Sequence, residues 1–228
     1  MRITPEQARQ QLAEGNQRFA GGGARRPHSN LSRMVELARE EPAPVAVVVG
    51  CIDSRVPPEI IFDQGLGDLM VVRLAGIPGA TELVGSVELA VQAFGIPLVV
   101  VLGHTHCAAL AAAAAGQAQD GNLLDLQEWL TPAVDHVRTR QPSLPPAQFA
   151  REVELENTRL AVEALLHGSP LLRQAVREGR LQIWGAMYSL ESCLVEWLGR
   201  HAQEAEILDR DLEVLDREAP IGDSKVEP

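Results

Sequence analysis

Three short apolar runs stand out along the chain: Val45-Ala46-Val47-Val48-Val49, Leu69-Met70-Val71-Val72 and Leu98-Val99-Val100-Val101-Leu102. They are continuous rather than alternating, and most of their residues are β-branched. That is the pattern of strands covered on both faces, as in a parallel sheet. A fourth strand is expected at Leu181 to Met187. Between the runs the apolar positions fall at helical spacing, briefly from Pro57-Pro58 to Phe62 and at greater length from Leu83 to Phe94. Strands alternating with helices predict an α/β fold, with a mostly parallel sheet of four or so strands flanked by helices.

The ends of the chain read differently. Thr4-Pro5-Glu6-Gln7 has the form of a capping box, which predicts a helix running to about Ala20 and stopping at Gly21-Gly22-Gly23. A second helix is expected after Asn30 and before Pro42. Both carry only scattered apolar residues (Leu12, Phe19, Leu31, Val35), so residues 1–44 read as a helical arm suited to packing on another subunit. Residues 45–190 form the expected α/β core. Within it, Ala108 to Ala115 reads as a helix packed closely on the sheet, and Pro142 to Pro146 as a break. Helical patterns follow from Ala147 to His167 and from Leu190 to about Arg217, giving C-terminal helices over 191–220 and a frayed tail from Ile221 to Pro228. No internal repeat or domain boundary is visible, so one domain of 228 residues is expected.

Composition narrows the function. Apolar residues make up 46% of the chain, enough for a sizeable core, and the formal net charge is −11. Such a charge argues against nucleic acid and against an anionic membrane surface, both of which need a basic footprint. The N-terminus lacks the apolar segment of a secretory signal, and no run approaches the roughly 18 apolar residues of a membrane span. Three cysteines without a signal sequence do not make a disulfide framework; they point to metal or catalytic chemistry in a cytoplasmic protein. Trp129, Trp184 and Trp197 have nothing basic around them and read as packing residues.

The candidate chemistry lies at strand ends. Cys51 follows the first valine run, His104 the third, and Cys107 comes three residues later. In open parallel sheets functional residues gather at the carboxyl ends of strands, so the two loops share a crevice if the first and third strands are neighbours. Two thiolates and an imidazole suit Zn2+, and three protein ligands leave a fourth position for water or substrate, which marks a catalytic site. The ion would lower the pKa of its water from about 15.7 towards neutrality and so provide hydroxide. Asp53 and Arg55, two and four positions beyond Cys51, are placed to form a charge-assisted pair in which Arg55 fixes the carboxylate that orients the hydroxide. The same carboxylate swinging onto the zinc would close the site. Val56, Ile77 and Leu83 are candidates to line an apolar slot beside the metal.

CIDSRVPPE, GDLMVVRLAG, GSVELAVQAFGIPLVVVLGHTHCAA and the late LQIWGAMY segment, in this order and spacing, resemble the β-class carbonic anhydrases. The resemblance implies reversible hydration of carbon dioxide to bicarbonate, a homodimer or homotetramer, and the roles above for Cys51, Asp53, Arg55, His104 and Cys107. The chain departs from the common family pattern at Pro42, Val48, Leu74, Ile77, Ala108 and Ser189. Two alternatives stay open at this level: hydrolysis of carbon disulfide or carbonyl sulfide at the same zinc, and a zinc-binding member with little catalysis. Outside the constellation, Arg73 reads as a structural pairing partner near the crevice and Cys193 as core. His106 reads as a loop residue at the site mouth, and His28, His136, His167 and His201 as surface residues.

Overall fold

The computed structural model describes residues 3–116 and 120–209. Five strands, β1 (Ala46–Gly50), β2 (Leu69–Arg73), β3 (Leu98–His104), β4 (Gln182–Tyr188) and β5 (Val195–Gly199), form one sheet in the order β2-β1-β3-β4-β5. The first four are mutually parallel and β5 closes one edge antiparallel to β4. The mostly parallel α/β architecture therefore agrees with the sequence pattern, with one strand more.

Every residue of β1 and β3 is buried, as doubly covered strands require. Val47, Val48, Val49, Val99, Val100 and Val101 are wholly shielded, each contributing about 1.5–3 kcal/mol by burial. The run at β2 behaves otherwise: it is an edge strand with β1 as its single neighbour, and all five of its residues are only half-buried. An apolar run specifies a strand, but its place in the sheet decides how much of it is covered.

Helix α1 (Pro5–Ala20) begins with the expected capping box. Gln7 N–H donates to Thr4 Oγ1 at 3.2 Å, and Thr4 N–H donates to Gln7 Oε1 at 2.9 Å. This N-terminal helix is fastened to its own chain along one face. Ala8, Leu12, Gly15 and Asn16 share one buried face, and the helix packs beside α3 (Pro58–Ile61). Asn16 donates to the carbonyls of Ile61 and Cys193 and accepts from Val195 N–H. Small and polar residues build this contact, which is why apolar periodicity alone gave no sign of it. Helix α2 (Leu31–Leu37) buries no residue, and Leu31, Met34 and Val35 stand exposed on it.

The remaining helices are α4 (Thr81–Phe94), α5 (Ala108–Ala115), α6 (Asn122–Arg140), α7 (Pro146–Gly168) and α8 (Pro170–Arg177). Neither α6 nor α8 was expected; α6 continues through Pro132. The helix expected from Leu190 is replaced up to residue 199 by turns and β5. Leu190, Leu194 and Trp197 do fall at helical spacing. Pairing with β4 (Ala186 opposite Trp197) and packing of Trp197 against Trp184 and Phe62 outweigh that local preference. Helix resumes at 204–209, and the rest of the expected C-terminal helices and the tail lie outside the described residues. Among the described residues no helix is long and apolar enough to cross a membrane.

Candidate metal centre

The chain leaves β1 towards β2 on one side and returns as β3 on the other, so the carboxyl ends of β1 and β3 flank a switch in strand order. Gly50 pairs with Leu102, which puts the following Cys51 level with the approach to His104. The result is a convergence of two loops far apart in sequence. The ligand-type atoms of Cys51, His104 and Cys107 all lie within 4.8 Å of one another, and all three residues are buried.

The chemistry of this cluster fits a cation. His104 Nδ1 stands 2.9 Å from the Thr105 carbonyl, which can only accept, so Nδ1 carries the hydrogen and Nε2 presents a lone pair. Among the described residues that buried Nε2 has no hydrogen bond of good geometry, only the nearby Cys51 sulfur, a costly state that a bound ion relieves. The two sulfurs share the same need. Hydrogen bonding from Cys107 pulls the Cys51 thiol well down against burial, with help from His104 and from Gly76 N–H, 3.4 Å from Cys51 Sγ. The Cys107 thiol is driven up by that same interaction and by burial. The two shifts run in opposite directions because each sulfur acts on the other at close range. Burial opposes charge on His104, but the Cys51 thiolate and the Thr105 carbonyl more than offset it and raise the imidazole. Two sulfurs and one imidazole suit a borderline-soft ion and leave it a fourth position.

Asp53 and Arg55 form the bidentate pair that their spacing suggests. Arg55 Nε donates to Asp53 Oδ1 at 2.9 Å and Nη2 to Oδ2 at 2.6 Å, and Arg55 N–H also reaches Oδ1 at 2.9 Å. The Arg55 hydrogen bond holds the Asp53 carboxyl far below the usual carboxylate range. Nη2 of the same arginine donates to the His106 carbonyl at 3.1 Å, tying together the loops that carry Cys51 and His104. Arg73, at the end of β2, braces the first loop: Nε donates to Cys51 O at 2.7 Å and Nη2 to Asp53 O at 2.6 Å. Its partners are carbonyls rather than a carboxylate. The one sequence signal for this role is that Arg73 ends the strand beside β1.

Other singled-out residues take lesser places. His106 adopts φ 58° at the loop's apex and pairs with Glu191, which also accepts from Thr105 and Ser189. These bonds, the one from His106 first, lower the Glu191 carboxyl to about 2. Cys193 is half-buried beside the core. His28, His136 and His167 are about half exposed, whereas His201 is largely covered. Val56, Ile77 and Leu83 are all buried in the core, and a hollow of about 370 Å³ that touches Cys107 is lined by other residues, among them Leu110, Ala111, Phe149, Val153 and Glu154.

The model of the family described as "Carbonic anhydrase" matches residues 46–195. Carbonic anhydrase 2 of Mycobacterium tuberculosis is 38% identical over 191 residues, spanning 82% of this chain and 89% of its own length. The carbonic anhydrase of Mycolicibacterium smegmatis is 37% identical over 196 residues, spanning 84% and 92%. Among solved structures, the β-carbonic anhydrase CafA of Aspergillus fumigatus superposes with a TM-score of 0.70 at 28% identity, covering 79% of this chain and 86% of that one.

Proposed function

The chain belongs to the carbonic anhydrase family, in its β class, and on that premise we propose that it hydrates carbon dioxide to bicarbonate at a zinc ion held by Cys51, His104 and Cys107. The observation that carries the proposal is the convergence, within 4.8 Å, of two buried sulfurs and an imidazole whose Nε2 makes no hydrogen bond of good geometry among the described residues. When bound there, the zinc supplies Lewis acidity that makes a coordinated water acidic enough to act as a nucleophile near neutral pH.

The chain's own residues do the rest. Asp53 presents a carboxylate that stays ionised throughout the working range and whose orientation Arg55 fixes through two parallel bonds. It is suited to accept a hydrogen bond from an attacking water and so to aim that water at the substrate carbon. Arg73 holds the carbonyls of Cys51 and Asp53, so ligand and carboxylate keep a constant relation. Carbon dioxide is small and apolar, and needs little beyond a narrow apolar space and exclusion of competing donors.

The proposal extends to a cytoplasmic enzyme, where reducing conditions keep Cys51 and Cys107 as free thiols, and to a homodimer or homotetramer. The exposed Leu31, Met34 and Val35 of α2 and the half-covered edge strand β2 support self-association. Metal content by mass spectrometry, on the same sample used for stopped-flow hydration, tests the central reading. About one zinc per chain with rapid hydration is expected. Cys51→Ser and His104→Ala should each lose both, and full hydration in either purified variant would refute the assignment.

A further inference from the structure

Of four buried polar side chains on one stretch of α7, Glu156 pairs with Arg140 and His136, and three others take no part in the chemistry above: Glu154, Asn157 and Thr158, exposed to 6%, 5% and 0%. Buried polar groups are costly unless hydrogen-bonded, so where their bonds go is informative. Glu154 Oε1 accepts the N–H of Cys107 at 3.2 Å. Cys107 is the N-cap of α5 but makes no side-chain capping bond, since its sulfur is turned towards Cys51 and His104. The α7 carboxylate does the capping instead, at a helix end whose free N–H groups favour an acceptor.

Asn157 acts on the other cysteine. Its Nδ2 donates to the Gly76 carbonyl at 2.6 Å, and the N–H of this same Gly76 points at Cys51 Sγ. Gly76 has φ +71°, a conformation that L side chains rarely adopt, so glycine suits the turn that aims this N–H at the sulfur. Thr158 Oγ1 donates back to the Glu154 carbonyl at 2.9 Å. It also fills the space that a Cβ on Gly103 would need, 2.1 Å away, which presses α7 against the residue preceding His104.

We propose that this turn of α7 is a positioning platform for the metal site, with Glu154 setting Cys107 and Asn157 setting Cys51 through Gly76. Glu154 and Asn157 are positioning residues: each acts on a ligand or its hydrogen-bond donor and neither belongs to the donor set. The proposal rests on the reading that Cys51, His104 and Cys107 hold an ion, and outer contacts of this type commonly change metal affinity by roughly 10–100-fold.

Glu154→Ala, Glu154→Gln, Asn157→Ala and, as a control, Val153→Ala test it. Val153 is as buried as its neighbours and lies on the same turn, without a hydrogen bond to the ligand loops. Three measurements are made on each full-length protein: the visible spectrum after cobalt(II) loading, zinc affinity by chelator competition, and the urea midpoint of the metal-free form. Glu154→Ala and Asn157→Ala should weaken zinc by roughly 10–100-fold and alter the thiolate-to-cobalt bands. Glu154→Gln keeps an acceptor oxygen and should restore the wild-type spectrum. Val153→Ala should lower the midpoint and leave the spectrum alone. Wild-type spectra and affinities in both alanine variants would overturn the proposal, as would an equal spectral change in Val153→Ala. Should Glu154→Ala fail to fold, Asn157→Ala decides, and a wild-type spectrum there overturns the platform. A wild-type protein that takes up neither metal removes the metal-site reading itself, whereas bound metal with unaltered variants removes only the platform.

Discussion

At Cys51 several interactions meet on one residue. Its sulfur lies with Cys107 and His104 and receives the N–H of Gly76, while its carbonyl is held by Arg73. Two residues on, Asp53 is just as constrained, with Arg55 on its carboxylate and Arg73 on its carbonyl. Such crowding fits a residue whose direction matters more than its contribution to stability. Asp53→Asn is therefore expected to keep its metal and lose on the order of 10²-fold in turnover, the scale of a lost orienting contact. Metal analysis beside stopped-flow hydration reads this directly, and equal turnover would take Asp53 out of the mechanism. Backbone strain gathers here too: Ile77 and His106, both close to the ligand loops, have φ of 60° and 58°. A β-branched residue at positive φ costs on the order of 1–3 kcal/mol, tolerated only because the surroundings fix it.

Between elements, a buried carboxylate governs how the N-terminal helix meets the core. Asp63, just past α3, accepts from Arg18 Nε at 2.7 Å, from Arg25 N–H at 3.1 Å and from Arg26 N–H at 2.8 Å. It thereby anchors the glycine-rich loop that leaves α1. Burial works against the charge, but the arginine and the two amides more than compensate, and the carboxyl is held below its ordinary value. A folded-state pKa below the unfolded one means stability that is present above about pH 4 and fades as pH falls through the folded value. Asp63→Asn suits the local φ of 49° and keeps one acceptor oxygen while losing the charge. We expect it to cost about 1–3 kcal/mol near pH 7. The difference from wild type should shrink below about pH 4 as the native carboxylate protonates. Urea midpoints at the two pH values decide the matter: a gap that stays constant would mean the charge has no part in the anchor.

For the whole molecule, the uncovered surfaces matter most. Leu31, Met34 and Val35 fall on one side of α2 at 79%, 49% and 46% exposure, and β2 leaves an apolar edge only half-covered. Large apolar groups at helical spacing, uncovered by any of the described residues, support the proposed self-association. Met34→Glu combined with Val35→Glu should shift the protein to monomers in sedimentation equilibrium while leaving the far-ultraviolet circular dichroism unchanged. A wild-type protein already monomeric at micromolar concentration would exclude this face as an interface.

Local chemistry carried much of this protein's design. Valine runs that are continuous rather than alternating marked β1 and β3 as covered strands, because burial on both faces needs apolar side chains at every position. Thr4 and Gln7 marked the start of α1, because a capping box is an exchange between residues three apart. The pairing of Asp53 with Arg55 was legible because it joins opposite charges two residues apart, and Cys51, His104 and Cys107 stood out by residue type and by their places at strand ends. Tertiary structure alone decided the rest. That Trp197 lies in a strand, that α1 packs on its own core through Ala8, Gly15 and Asn16, and that Glu154 and Asn157 stand behind the cysteines all depend on partners distant in the chain. A residue's type and its neighbours determine which faces and atoms need a partner. Only the packing of whole elements, against the entropy of closing the loops between them, determines which partner each one meets.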